Sequence, residues 1–161
     1  MKGAGRGGEG ALGKGRGDAG GRTGGPAPGA DDLPCRRHGC DLCCRATGMP
    51  LTGADIGRIR GLGFEQGCFA EESDGWLQLR NTAEGVCFFL HDGLCSIYPY
   101  RPEGCTLYPV VFDIDGDRAV VDPECPRGGE WKVTADAERR VRGLVERLRR
   151  ERRGRRRRWA R

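Results

Sequence analysis

The sequence lacks any hydrophobic run that approaches the roughly 18 residues a membrane-spanning helix requires. Its first residues, Met-Lys-Gly-Ala-Gly-Arg, also lack the apolar segment of a secretory signal. These two absences argue against a membrane partner and against export. We therefore expect a cytoplasmic protein whose thiols are kept reduced.

Histidine is scarce, and the common catalytic motifs are missing. The chain has two histidines, His38 and His91. No Ser/His/Asp arrangement, phosphate-binding loop or dinucleotide-binding glycine pattern stands out, and the short glycine patterns near the start match only by chance. The residues therefore leave open whether the chain is an enzyme.

Large apolar side chains are almost absent from the first 30 residues, which hold 13 glycines. Such a stretch cannot bury enough surface to offset its chain entropy. We therefore predict a disordered Gly-rich leader over 1–32, a cysteine-cluster domain over 33–133, and a basic helix and tail over 134–161.

Charge is distributed unevenly along the chain. Residues 33–138 carry a net charge of −7, whereas residues 139–161 hold 13 arginines and two glutamates. An Arg-rich tail is compatible with nucleic-acid binding. We favour the simpler interpretation that the arginines pair with the acidic domain, and we leave any protein partner unassigned.

Local patterns predict a small, irregular α+β domain. Thr52 and Asp55 form a capping-box pair at the start of a short helix, with Ile56, Ile59 and Leu62 facing inward. From Thr134 onward, the apolar spacing predicts a longer helix whose arginine-rich end, Arg155 to Arg158, we expect to fray. The apolar positions of that helix are Val141, Leu144, Val145 and Leu148.

Turn signals predict short hairpins between these helices. Asp74-Gly75 precedes a strand over 76–80, and His91-Asp92-Gly93 separates two apolar runs, 86–90 and 94–98. A further hairpin is predicted over 110–121, around Asp115-Gly116-Asp117. Pro102 is predicted at the first position of a helical turn that leads to Cys105.

Cysteine is abundant, with nine residues in the chain. Cys68 stands alone, and we predict that it is a free thiol. Because disulfides belong mainly to exported proteins, clustered thiols in a reducing compartment favour metal binding. The predicted metal ligands form an amino-terminal cluster, a central cluster and one later residue: Cys35, Cys40, Cys43 and Cys44; Cys87, Cys95 and Cys105; and Cys125.

These motifs resemble the YkgJ-type cysteine-cluster proteins, a family of zinc- or iron-chelating domains. The resemblance covers roughly 35–126 and rests on three segments: Cys40-Asp-Leu-Cys43-Cys44-Arg45, Cys87-Phe-Phe-Leu with Asp92-Gly-Leu-Cys95-Ser-Ile-Tyr98, and Arg101-Pro102 before Cys105 and Tyr108-Pro109. Cys35 and Cys40 are separated by four residues, where the family usually has two, so His38 is an alternative ligand. His91, in a turn, is expected to be exposed.

The resemblance implies metal chelation, often by an iron–sulfur cluster. Four-sulfur shells hold [4Fe–4S] clusters and structural zinc alike, so the residues alone leave the metal open. Our first hypothesis is an iron–sulfur or iron-binding protein with a redox or metal-handling role and a 4Fe–4S cluster. The alternatives are a zinc-binding structural or interaction module, and a protein-modifying enzyme similar to flagellin lysine-N-methylase.

Overall fold

A computed structural model of the chain describes residues 39–159. The predicted leader, Cys35 and His38 lie outside this range. Within it, the fold is α+β, as predicted, and no helix is long and apolar enough to cross a membrane. The elements are α1 (Gly53–Arg60), α2 (Gln66–Phe69), β1 (Ala70–Ser73), β2 (Trp76–Leu79), β3 (Leu90–His91), β4 (Leu94–Cys95), α3 (Glu103–Leu107), β5 (Val110–Asp113), β6 (Arg118–Val121) and α4 (Ala135–Trp159).

Helix α1 begins at the predicted capping box. The amide of Asp55 donates to Thr52 Oγ1 at 3.1 Å, and the amide of Thr52 donates to Asp55 Oδ2 at 3.0 Å. Ile56 and Ile59 are buried as predicted, but Leu62 is 39% exposed. The inward orientation of Leu62 was wrong, because the helix ends at Arg60 and the chain turns away.

Strands β1 and β2 form an antiparallel pair around the predicted turn at Asp74. Strand β1 was missed because three of its four side chains are exposed, which leaves no alternating pattern to detect. The segment after the amino-terminal cysteine cluster pairs with the other edge of β2. Leu51 donates to the carbonyl of Leu77 at 2.8 Å, and Leu79 donates to the carbonyl of Met49 at 2.9 Å.

The other two predicted hairpins are also present. Strands β3 and β4 pair with Leu90 opposite Cys95, and β5 pairs with β6 with Val110 opposite Val121. The turn before Cys105 differs slightly from the prediction, because Pro102 is the N-cap of α3 and the helix starts at Glu103. Each strand is short, so these hairpins depend on packing with the rest of the domain.

Helix α4 packs on the hairpin of β5 and β6. Val141, Leu144 and Leu148 are buried in one cluster with Leu107 and Val110. The helix continues to Trp159, so the predicted fraying of its arginine-rich end is wrong.

The basic end of α4 is held by polar contacts to the first hairpin. Arg155 is 8% exposed, and its Nε donates to the carbonyl of Gly75 at 2.7 Å. Arg152 pairs with Asp74 in the same turn. Nearer the middle of the helix, Arg147 pairs with Glu103 at 2.5 Å. Several of the helix arginines thus pair with acidic residues of the domain.

Candidate metal centre

Backbone pairing brings the amino-terminal and central cysteine clusters together. The amide of Cys87 donates to the carbonyl of Cys44 at 2.7 Å, and the amide of Ala46 donates to the carbonyl of Gly85 at 2.6 Å. These bonds form an isolated antiparallel bridge between Arg45 and Val86. Cys44 and Cys87 belong to different clusters and are 43 positions apart in the sequence, and this pairing places them on neighbouring segments.

The β3–β4 hairpin adds a further cysteine beside Cys87. The amide of Leu90 donates to the carbonyl of Cys87 at 2.8 Å, and Leu90 lies opposite Cys95 in the hairpin register. The amide of Ser96 donates to the carbonyl of Phe89 at 2.8 Å. Cys87 and Cys95 are therefore on adjacent segments, as the predicted hairpin implied.

Helix α3 carries Cys105 to the same region and is held there by α1. The amide of Glu103 donates to Asp55 Oδ1 at 3.0 Å. Arg58 donates to the carbonyls of Tyr100 and Arg101 at 3.2 and 3.1 Å, and to Asp55 Oδ1 at 2.5 Å. The loop before Cys105 is thus fixed by two charged residues of α1.

The result is a cleft of about 130 Å³ that gathers most of the predicted ligands. Its wall is largely apolar and includes Met49, Phe89, Ile97 and Tyr98. Cys87 is buried, whereas Cys43 is exposed. The cysteines that line the cleft are Cys40, Cys43, Cys44, Cys87, Cys95 and Cys105.

The remaining predicted candidates lie elsewhere. Cys125 is buried but does not line the cleft. Cys68 and His91 are exposed and are not part of the wall. Cys35 lies outside the described residues, as does His38. Between residues 39 and 159, no three His, Cys, Asp or Glu side chains converge closely enough to hold a metal ion as placed.

Burial makes ionisation of the inner thiols costly. It raises the pKa of Cys87, Cys95 and Cys105, and the neighbouring cysteine charges raise each of these pKa values further. The Cys44 thiol hydrogen-bonds to Cys43, which lowers the pKa of Cys43 to about 7 and raises that of Cys44. A set of buried thiolates here therefore requires a compensating positive charge.

Among the described residues that line the cleft, Arg101 is the one with a cationic side chain. Its Nη1 donates to the carbonyl of Tyr98 at 2.9 Å and its Nε to that of Cys105 at 3.3 Å. Its guanidinium also lies 4.0 Å from the centre of the Tyr98 ring. Its positive charge lowers the pKa of Cys95 and Cys105, opposing the effect of burial.

The donor set fits a soft metal centre. Thiolate sulfur is the preferred ligand of zinc and of iron–sulfur clusters, and the cleft offers several thiols within one largely apolar wall. A bound cation would supply the positive charge that several thiolates in this environment need. Which of the thiols would act as ligands stays a prediction.

Met49 and Trp131 are among the wall residues that were not identified from the sequence as part of the site. Met49 lies just before the segment that pairs with β2, and Trp131 follows a 3₁₀ turn over Gly128–Glu130. Neither belongs to a periodic or cysteine-spaced motif. From the sequence, Trp131 could have been noticed only as a large aromatic side chain soon after Cys125.

A sequence model of the CxxCxxCC family, a putative zinc- or iron-chelating domain, matches residues 34–126. The matched range begins just before Cys35 and ends just after Cys125, so it contains all eight predicted ligands. No curated protein and no solved structure matches the chain.

Proposed function

Because the chain belongs to the CxxCxxCC family of zinc- or iron-chelating domains, we propose that its cleft holds an iron–sulfur cluster, with 4Fe–4S as the favoured form. The observation that carries this proposal is the gathering of six thiols, from three separate chain segments, around one cleft. The proposed role is redox or metal handling in the cytoplasm, where thiols stay reduced.

The proposed ligands are taken from the eight clustered cysteines. One four-sulfur shell would use only half of them. The inner thiols Cys87, Cys95 and Cys105, together with Cys44, are the strongest candidates because they lie against the hydrophobic core. Cys125 and Cys35 would serve a second site or remain unbound.

When bound, a cluster of this class supplies one-electron redox chemistry. The chain's own residues would bind the cluster and limit its contact with water. Phe89 and Ile97 are buried in the cleft wall and would exclude water from one side. Arg101 would offset part of the negative charge of the thiolates.

A zinc-binding structural module is the second candidate. The cysteine side chains pack directly against the main core, which includes Leu79, Phe69 and Phe89. A four-coordinate structural zinc ion would occupy such a position, since closed thiolate shells of this kind contribute folding energy. This function requires no redox activity and would leave the protein colourless.

Anaerobic purification followed by metal analysis and an absorption spectrum distinguishes the two candidates. A brown protein with a broad visible band from sulfur-to-iron charge transfer, and with iron and acid-labile sulfide, supports the cluster. A colourless protein with stoichiometric zinc supports the structural module instead. A protein that retains neither metal, even after anaerobic reconstitution, would refute both.

A further inference from the structure

The indole of Trp131 lies in the wall of the cysteine cleft. It lines the cleft from a position beyond the family-matched range, and its Nε1 atom is buried without a hydrogen-bond partner in the described part of the chain. Arg155 Nη2 is likewise buried without a hydrogen-bond partner among the described residues, but Arg155 does not line the cleft. An indole N–H can only donate, so burying it without an acceptor is unfavourable.

The position of Trp131 is fixed by consecutive backbone turns. The amide of Cys125 donates to the carbonyl of Asp122 at 3.1 Å, that of Gly128 to Cys125 at 2.8 Å, and that of Trp131 to Gly128 at 3.0 Å. Gly128 is packed so closely that an added Cβ would lie 3.2 Å from Val121 Cγ1. These turns hold the segment against β6 and carry the indole to the cleft.

The sulfur atoms of the proposed metal centre are candidate acceptors for this indole N–H. Neutral thiols accept hydrogen bonds weakly, whereas metal-bound thiolates and sulfides are anionic and accept them well. We propose that Trp131 Nε1–H donates a hydrogen bond to a sulfur of the metal centre when the cleft is loaded. The inference rests on the proposed function, and it makes Trp131 a positioning residue that stabilises the bound thiolates.

Zinc binding by the full-length reduced protein provides the test, with Zn²⁺ alone as the probe. Competition with a chromophoric chelator should show that Trp131→Phe weakens zinc binding about tenfold, the lower end of the range for loss of such a supporting contact. Trp76→Phe is the matched control. Trp76 lies under Arg152, with 4.7 Å between the guanidinium carbon and the ring centre, and does not line the cleft. Its removal should leave zinc affinity unchanged.

The indole resonances of the wild-type protein give a second measurement that does not depend on how well a variant folds. The proton on Trp131 Nε1 should move downfield when zinc binds, while that of Trp76 stays in place. Stoichiometric zinc binding with no movement of the Trp131 resonance would overturn the inference and leave the proposed function intact. If neither zinc nor anaerobically added ferrous iron and sulfide binds, the proposed function itself fails.

Discussion

The carboxylate of Asp55 accepts a hydrogen bond from the amide of Glu103 at 3.0 Å, across 48 positions of the sequence. Asp55 is 1% exposed and also accepts bonds from the amide and hydroxyl of Thr52. One buried side chain therefore completes the cap of α1 and fixes the start of α3, the helix that carries Cys105. The stability of the helix and the position of a predicted ligand depend on the same carboxylate.

Replacing this carboxylate should destabilise the protein strongly. Asp55→Ala would leave the amide of Glu103 and the groups of Thr52 without their acceptor, and Arg58 without its ion-pair partner. We expect the free energy of unfolding to fall by about 2–4 kcal/mol, from a lost cap and unsatisfied buried donors. Urea denaturation of the metal-loaded protein measures this change.

Asp115→Ala is the matched control for Asp55→Ala. Asp115 is exposed in the turn between β5 and β6 and should change stability by less than about 0.5 kcal/mol. Equal effects of the two substitutions would contradict the role assigned to Asp55.

Metal removal should unfold the domain. The core is small, and Cys44, Cys95 and Cys105 are partly buried against it, so an empty cleft would leave part of the core poorly supported. A strong chelator under reducing conditions should remove most of the cooperative thermal transition seen by circular dichroism, and adding the metal back should restore it. A metal-free reduced protein that still melts cooperatively at the same temperature would show that the metal is not structural.

Cysteine substitutions should separate the cleft from the rest of the chain. Cys87→Ser and Cys105→Ser remove thiols that line the cleft and should lower the metal-to-protein ratio or change the absorption spectrum. Cys68→Ser is the control, because Cys68 is exposed and lies outside the cleft wall. If Cys68→Ser loses as much metal as Cys87→Ser, the proposed ligand set is incorrect.

The charge of Arg101 should strengthen metal binding. Arg101→Gln removes the cationic side chain that the described cleft wall contains, so thiolates there should be harder to form and metal affinity should fall about tenfold. Arg101→Lys keeps the charge while losing the paired contacts to Tyr98 and Cys105. If both variants bind metal equally poorly, the carbonyl contacts of Arg101 matter and its charge does not.

The buried end of α4 should contribute to stability. Arg155→Ala removes the hydrogen bond to the carbonyl of Gly75 and the packing of a long side chain, so the free energy of unfolding should fall by about 1–2 kcal/mol. Arg153→Ala, at an exposed position of the same helix, should have little effect. An Arg155→Ala protein as stable as the Arg153→Ala protein would mean that the helix end is not held as the structure places it.

Local signals in the sequence determined much of the fold. The Thr52–Asp55 capping box, the turn at Asp74 and the hairpin around Asp115-Gly116-Asp117 each depend on residues only a few positions apart, so short patterns suffice to predict them. The cysteine clusters likewise indicated a metal-chelating domain, because thiol density is a property of composition and spacing.

Contacts between distant segments could be decided only by the tertiary structure. In the sequence, Arg155 looks like part of a solvated tail. In the structure it is buried against the first hairpin, where its Nε donates to the carbonyl of Gly75, 80 positions away. Strand β1 exists because β2 pairs with it, although its own side chains are mostly exposed. The placement of six cysteines around one cleft, and of Trp131 beside them, depends on backbone pairing such as that between Cys44 and Cys87. The spacing of residues along the sequence does not predict such pairing, because the energy of a long-range contact depends on the packing of the whole chain.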